Sequence, residues 1–445
     1  LDRFVGIEFG LSFFCTFSAM FCFWISAYTI HFGLMVYAIA CMIGFMTGLE
    51  IPLITRINQS YESLRENISS VMEYDYYGGL LGGALFAFIL LPFLGLTYTP
   101  VLIGSVNLLV ASLILWQFPK RLERPRILNF QFFLLLLVSI AAFAAAKPIV
   151  LYGEQHKYKD KIVYQEQTRY QKIVVTQWKD DFWLFINGST QFSTYDEERY
   201  HEPLVHPVMG LVEERNDILL LGGGDGLAAR EILKYSDVKN LTLVDLDPAM
   251  TKLAQQDKIF LNINQGSMND PRISVVNQDA YQFIKGSDRL YDVIVIDLPD
   301  PKSVSLSLLY SLGFYKMVEK HLKPFGAMIT QSTSPLYSPE AFLCIKKTIQ
   351  AAGFSVLPYQ NSIPSMGQWG WNLGVRAKVM SSKILKQKVE MYKYRDIETH
   401  FFNQDAMISM MHFGKGLFEK EEKIEINTQF NHNILKYYRQ GSWDL

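Results

Sequence analysis

Five apolar runs, each of roughly twenty residues, fill the first third of the chain, and no other feature limits its fold as much. They are about Gly6–Ile30, Phe32–Ile54, Tyr77–Leu96, Val101–Phe118 and Phe130–Ala146. A helix needs about 20 apolar residues to cross the hydrocarbon of a bilayer, and a helix in a soluble core is rarely apolar on every face for so long. Charge is divided the same way: 16 of the first 150 residues are charged, against 69 of the remaining 295. The pattern predicts an α-helical transmembrane bundle over 1–150, with about five spans and the lipid bilayer as a partner. The chain opens at Leu1 without a methionine, which leaves room for further spans before it.

Within this third, Gly78, Gly79, Gly82 and Gly83 repeat at a spacing of four, which would let a neighbouring helix backbone come close. Pro52 and Pro92 fall near span ends, where lost backbone bonds are most easily replaced. Glu50 is the carboxylate set well inside a span; it reads either as a functional group in the membrane or as an interfacial one beside Arg56. The segment Ser60–Tyr76 mixes Leu64, Ile68, Val71 and Met72 with charges, as an interfacial amphipathic helix does.

The 42 basic and 43 acidic side chains nearly cancel, which excludes a nucleic-acid binder held by phosphate contacts. Of the four cysteines, Cys15, Cys22 and Cys41 lie in the apolar third, so Cys344 has no partner for a disulfide in the polar part. The eight histidines do not fall at zinc-site spacings, and no metal is expected.

From Lys157 the texture changes. Ile162–Gln167, Gln171–Gln177 and Trp183–Asn187 are short β-branched or aromatic runs, with Asn187-Gly188 as a turn signal. They predict a small antiparallel sheet over 157–210. Over 211–380 the apolar strands Ile218–Leu221, Leu241–Val244, Ile273–Val276, Val293–Ile296 and Ala327–Thr330 alternate with helical stretches such as Leu227–Lys234, Ala249–Phe260 and Leu309–His321. Such alternation implies a doubly wound parallel α/β sheet of Rossmann-like, class I methyltransferase-like type. Its ligand crevice lies at the carboxyl ends of the strands. Residues 381–445 are expected to form a helical extension.

The first strand-to-helix turn reads Gly222-Gly223-Gly224-Asp225-Gly226, and Asp245 follows the second strand. Glycines let the backbone approach a ligand, and an acid at that spacing reaches ribose hydroxyls. Alone, this says nucleoside-containing ligand, either NAD or a methyl donor. Asp225 stands where a pyrophosphate or carboxylate would sit, so the site favours a donor whose tail is a bare ammonium. Asp297 and Asp300, after the fourth strand, hang over the same crevice, and Tyr200, His201 and further acids lie upstream within Tyr195–Glu202. Single acids after strands are ordinary turn chemistry. Three converging at the strand ends of one nucleoside fold suit a polycationic substrate.

These residues together resemble the spermidine synthases, also called polyamine aminopropyltransferases, over about Tyr164–Gly374. The likeness is carried by Tyr170-Gln171, Asn187-Gly188 with Gln191, Asp196-Glu197 leading to Tyr200-His201-Glu202, the Gly222–Gly226 turn, Asp270-Pro271-Arg272, Asp279, Tyr291-Asp292 through Asp297-Leu-Pro-Asp300-Pro301, and Thr330-Gln331-Ser332 through Pro335. The apolar first third, Leu309-Tyr310-Ser311 and the tail Tyr437-Tyr438…Trp443 are similar to a membrane-embedded branch of that family. The resemblance implies a thioadenosine contact at Gln171 and donor binding at Gly222, Gly224 and Asp225. It implies a ribose acid at Asp245 and an adenine-contacting pair at Asp279 and Ala280. It implies polyamine contacts at Tyr200, His201, Asp225, Asp297 and Asp300, and makes Asp300 the catalytic proton acceptor. The implied co-substrate is decarboxylated S-adenosylmethionine, with no tightly bound cofactor; the acceptor is putrescine and the products are spermidine and methylthioadenosine. A second copy of the chain is a candidate partner.

The sequence departs from the soluble members in two places. Asp300-Pro301 runs on into Lys302-Ser303, and Ile363-Pro364 is followed by Ser365-Met366 where the family commonly has Thr then Tyr. The cluster Lys120–Arg126 favours a cytoplasmic loop, which with five spans would put the rest of the chain outside. Leu134–Ala146 also resembles a secretory signal's core and exit, whereas Lys157, Lys159 and Lys161 vote the other way. Because the donor is made in the cytoplasm, the expectation is a multi-pass protein of the cell membrane with its catalytic domain facing the cytoplasm. Two other readings stay open: an S-adenosylmethionine-dependent methyltransferase, which Asp225 disfavours, and a polyamine transporter or sensor with an idle synthase-like domain, suggested by Glu50 and the glycine-faced span.

Overall fold

The computed structural model describes residues 1–26, 28–29, 32–58, 63–394 and 397–443. The expected end of the first apolar run, Ile30, and the expected start of the amphipathic segment, Ser60, lie outside the described residues. The chain forms two compact units, Leu1–Ile162 and Val163–Leu445.

In the first unit, four helical stretches among the described residues are long and apolar enough to cross a membrane: Asp2–Ser26, Phe32–Asn58, Arg65–Gln117 and Pro125–Gln155. The third merges two expected runs and takes in the segment read as a separate interfacial helix. Its 53 residues would measure about 80 Å if straight. They are not straight. After a π-helical turn at Phe86–Leu90, Gly95 adopts φ 62°, ψ −171°. Beyond it the Thr99 hydroxyl donates to the Leu90 carbonyl at 3.0 Å, whereas residues nine apart in a continuous helix stand about 13 Å apart. The chain changes direction at Gly95, and the two runs remain distinct segments.

The helix Asp2–Ser26 is the hub of this unit. Val5 and Phe9 pack with Leu108, Ala111 and Leu115, and Met20 packs with Val101, Ala142 and Ala146. Close backbone approach occurs where Gly104 meets Ser12 and Thr16, and where Gly153 meets the Phe23 carbonyl. The glycine face Gly78–Gly83 meets no described residue within 4 Å, so its expected neighbour is not found there. Phe32–Asn58 buries none of its residues. Glu8, near the start of the first run and passed over in the sequence reading, is 4% exposed.

The second unit opens with a four-stranded sheet in the order β1-β2-β3-β4, from β1 (Lys161–Gln167), β2 (Lys172–Trp178), β3 (Asp181–Ile186) and β4 (Ser189–Ser193). Asn187 at φ 51° and Gly188 at φ 80° make the expected hairpin turn. The polar strand β4 beyond it carried no apolar signal. Seven further strands follow: β5 (Asp217–Gly222), β6 (Asn240–Asp245), β7 (Ile273–Asn277), β8 (Tyr291–Asp297), β9 (Leu322–Gln331), β10 (Phe354–Ile363) and β11 (Gly367–Arg376). Their order is β10-β11-β9-β8-β5-β6-β7. The stretch β7 to β9 is parallel, and the β10–β11 hairpin adds antiparallel on β9.

Ile218–Leu221 of β5 and Val293–Ile296 of β8 are wholly buried, the condition of central parallel strands covered on both faces. Each such side chain contributes about 1.5–3 kcal/mol. The chain winds from β5 outward through β6 and β7, then returns to place β8 on the other side of β5. That reversal opens a crevice at the carboxyl ends of β5 and β8. One expected helix, Ala249–Phe260, is divided by a cap. Asp257 accepts from the Ile259 N–H at 2.8 Å and starts Lys258–Ile263 anew. The expected helix Leu309–His321 begins later, at Leu312, where the Ser311 hydroxyl accepts from the Phe314 N–H at 3.3 Å.

Candidate active site

Strand register lines up the site. Asp245 faces Asn277 across β6–β7, Gly222 faces Asp297 across β5–β8, and Ile296 faces Thr330, which sets Gln331 beside Asp297. Neighbouring strands are about 4.8 Å apart, so Asp245, Gly222, Asp297 and Gln331 follow one another along one rim. Gly222 (φ 83°) leaves the strand in the left-handed region, and a Cβ there would collide with the Asp297 carbonyl oxygen. A Cβ on Gly224 would stand 2.5 Å from Asp245 Oδ2. Gly222 therefore requires glycine, whereas a side chain at Gly224 would displace the Asp245 carboxylate.

Asp245 ties the first two strand-end loops together. Its Oδ2 accepts from the Gly224 N–H at 3.1 Å and its Oδ1 from the Asp247 N–H at 3.0 Å, leaving a lone pair on each oxygen for a ligand hydroxyl. Gln171 sits half-buried in the β1–β2 loop, where Thr168 hydrogen-bonds its backbone and donates to Asp247 Oδ2 at 2.8 Å. That contact brings Gln171 to the Asp245 side of the rim. Asp279 and Ala280 begin the helix after β7, close by, since the Gln278 N–H donates to the Asp245 carbonyl at 3.1 Å. The Asp279 carboxylate caps that helix through the Gln282 N–H at 2.9 Å.

Asp225, Asp297 and Asp300 stand opposite. Asp225 Oδ1 accepts from the Leu227 N–H at 2.8 Å. Asp297 Oδ1 accepts from the Tyr200 phenol at 2.6 Å. Asp300 Oδ2 accepts from the Tyr438 phenol at 2.9 Å, and its Oδ1 lies 3.4 Å from Gln331 Nε2. All three keep part of their surface open to solvent, although protein crowds them closely, the situation of groups on a crevice floor. Burial raises the Asp225 carboxyl, His201 and the Leu227 N–H pulling the other way. Burial likewise raises Asp300, against Lys302 and Tyr438. Asp297 is pushed up to about 6, first by burial and then by Asp225. Asp245 is also pushed up to about 6 by burial, its two N–H bonds opposing.

His201 joins this group from the helix Glu198–Leu211. Burial works against its charge, but Glu197 Oε2 at 2.8 Å, with Asp225 and Asp297 beyond, outweighs burial and raises the imidazole to about 8. Arg230 closes the network, donating to Glu197 Oε1 at 2.7 Å and Glu231 Oε1 at 2.9 Å. Other acids of the Tyr195–Glu202 segment serve the fold. Glu202 accepts from the His400, Phe401 and Phe402 N–H groups, and Asp196 holds the Ser365 N–H and hydroxyl. Lys302 leans to Ser189 Oγ at 2.5 Å.

The rim therefore unites Gly222, Gly224, Asp225, Asp245, Asp297, Asp300, Tyr200 and His201, with Gln171, Asp279 and Ala280 on its Asp245 side. Sequence reasoning assigned no role to Glu197, Arg230, Gln331 or Tyr438. Gln331, at the end of the strand next to β8, was within reach of the strand-end rule; the others had no spacing to reveal them.

A carboxyl raised from about 3.9 to about 6 holds its proton more tightly folded than unfolded, so stability falls as pH rises through that window. Thermal unfolding of the detergent-purified protein between pH 4 and 7 is expected to show Tm declining with pH. Asp297→Asn should flatten the decline and raise Tm at pH 7. An unchanged slope in the variant would contradict the assignment.

The sequence pattern of the spermine/spermidine synthase domain matches residues 197–386. The polyamine aminopropyltransferase of Oceanobacillus iheyensis is 38% identical, covering 99% of this chain and 85% of the relative. That of Leptospira interrogans is 34% identical over 98% and 86%. Among solved structures, a spermidine synthase in complex with the transition state analogue AdoDATO aligns with a TM-score of 0.52 at 23% identity, covering 59% of this chain and 89% of that one. The Thermotoga maritima spermidine synthase aligns with a TM-score of 0.50 at 24% identity, over 59% and 88%. These two are likenesses of fold.

Proposed function

The chain belongs to the polyamine aminopropyltransferase, or spermidine synthase, family and is an aminopropyltransferase, and from that premise we propose that it moves the aminopropyl group of decarboxylated S-adenosylmethionine to putrescine at the β5–β8 crevice. The observation that carries this is the grouping of Asp225, Asp297 and Asp300 over a glycine turn whose far side holds Asp245. Four carboxylates suit a donor with a sulfonium and an ammonium, meeting a diamine that arrives as a dication.

In this reading Gln171, Gly222, Gly224, Asp245, Asp279 and Ala280 hold the nucleoside. Asp225 takes the donor's ammonium. Tyr200, His201 and Asp297 set the acceptor's charged groups. Asp300 takes one proton from the attacking ammonium, whose pKa in water is about 10.4; burial, by raising Asp300, narrows the gap it must bridge. The freed nitrogen lone pair forms a bond to the methylene beside sulfur, the carbon–sulfur bond breaks, and its electron pair returns to sulfur. Methylthioadenosine leaves as a neutral thioether and spermidine carries the new C–N bond.

The apolar unit is read as a multi-pass anchor in the cell membrane, with the catalytic unit over 157–380 in the cytoplasm. Its scarcity of charge and the unburied apolar helix Phe32–Asn58 support the anchor, and the side follows from a donor made in the cytoplasm. The test is a panel of diamines with purified protein, together with an alkaline wash of membranes. Putrescine should give the highest kcat/KM, and the protein should stay in the pellet. A better acceptor by about tenfold (~1.4 kcal/mol) would replace putrescine, and release by the wash would remove the anchor.

A further inference from the structure

On the reading that this crevice transfers an aminopropyl group, we propose that Tyr438, brought in by the C-terminal segment, is the positioning residue of Asp300: it holds one carboxylate oxygen so that the other faces the incoming amine. The Tyr438 phenol donates to Asp300 Oδ2 at 2.9 Å. Oδ1 has the longer contact, 3.4 Å to Gln331 Nε2, and that amide nitrogen also serves the Leu298 carbonyl at 2.6 Å and the Tyr310 phenol. The Thr333 hydroxyl also bears on Asp300, but of the two measured contacts the Tyr438 bond is the short one, which leaves Oδ1 the more loosely held oxygen.

In donating to a carboxylate Tyr438 resembles Tyr200, whose phenol donates to Asp297 Oδ1 at 2.6 Å, and differs from Tyr310 and Tyr359. Tyr310 places its hydroxyl on the Leu298 and Pro299 carbonyls, and Tyr359 on the Pro203 carbonyl. Only a backbone acceptor is consumed there; Tyr438 instead spends its hydroxyl on a reactive carboxylate.

The tail is anchored well enough to aim it. Tyr438 lies on the helix Asn433–Arg439 and is 6% exposed. Its ring packs on Trp443, centroids 4.6 Å apart, and Trp443 Nε1 donates to the Tyr438 carbonyl at 3.0 Å. The Ser442 N–H donates to the Tyr337 carbonyl at 2.8 Å. At the other end, His432 Nδ1 pairs with Ser307 Oγ at 2.8 Å and Asn427 Nδ2 donates to the Ser307 carbonyl at 2.8 Å. Ser307 belongs to the stretch that follows Asp300, so the segment carrying the carboxylate and the segment carrying the phenol are fastened to each other.

Steady-state kinetics of full-length Tyr438→Phe, which keeps the ring against Trp443, test this. Expected is a fall in kcat of about 10- to 100-fold with the donor's KM changed less than about twofold. The acid limb of kcat should move to higher pH, because a carboxylate that loses a donor binds its proton more tightly. Trp443→Phe, which loosens the tail without touching Asp300, should show a smaller loss and the same direction of pH shift. If wild-type protein makes methylthioadenosine and Tyr438→Phe matches it in kcat and pH profile, or if losses follow Tm alone, the positioning role is wrong. Wild-type protein that makes none would instead overturn the aminopropyl-transfer reading.

Discussion

Asp300→Asn is expected to lower kcat for methylthioadenosine release by about 10²–10⁴-fold, the range for losing a positioned general base. Asparagine keeps the shape of the side chain and still offers an oxygen to Tyr438, which donates at 2.9 Å. What it loses is the ability to take a proton from the acceptor's ammonium. The affinity for the donor should change little, since Asp225 and Asp245 hold that end, and Tm should not fall because a buried charge has been removed. Steady-state rates with saturating donor and putrescine check this. A loss smaller than about tenfold would mean that the amine arrives already neutral, or that another group takes the proton.

The second large effect concerns choice of donor. A carboxylate about 4 Å from Asp225 at an effective dielectric near 20 costs roughly 4 kcal/mol, about three decades in affinity. Wild-type protein should therefore bind decarboxylated S-adenosylmethionine far more tightly than the carboxylated form. Asp225→Asn removes that repulsion and the attraction for the ammonium together, and its oxygen can still cap the Leu227 N–H, now at 2.8 Å from Asp225 Oδ1. The ratio of the two dissociation constants should collapse by about 100- to 1000-fold. Calorimetric titration with both donors measures it. A ratio unmoved by the substitution would place the donor's tail elsewhere.

The sequence revealed those parts of the site that follow from local rules. A buried parallel strand reads as an unbroken apolar run, and the residue after it lies at the crevice, so Gly222, Asp245 and Asp297 could be placed on the rim before the sheet was seen. The oddity of Asp225 in a glycine turn already implied a cationic tail. Contacts between distant segments were hidden. Tyr438 stands 138 residues from Asp300, and no periodicity links them. Glu197 was one acid among several in Tyr195–Glu202, and only packing separates it, facing His201 and Arg230, from Glu202, which is consumed by backbone N–H groups. The hairpin β10–β11 was missed because Gln360, Asn361, Ser362, Gln368 and Asn372 interrupt its alternation. A single cap at Asp257 cuts a helix that hydrophobic pattern alone had joined, and the cap at Ser311 delays the start of another.

One isotope experiment goes to the centre of the matter: incubate the purified protein with putrescine and a decarboxylated donor carrying heavy carbon in its aminopropyl group, then weigh both products. Anionic side chains lined up with an electrophilic methylene predict that all the label appears in spermidine and none in the methylthioadenosine released with it. Label retained on the nucleoside, with a methyl group gained by the amine, would contradict aminopropyl transfer outright.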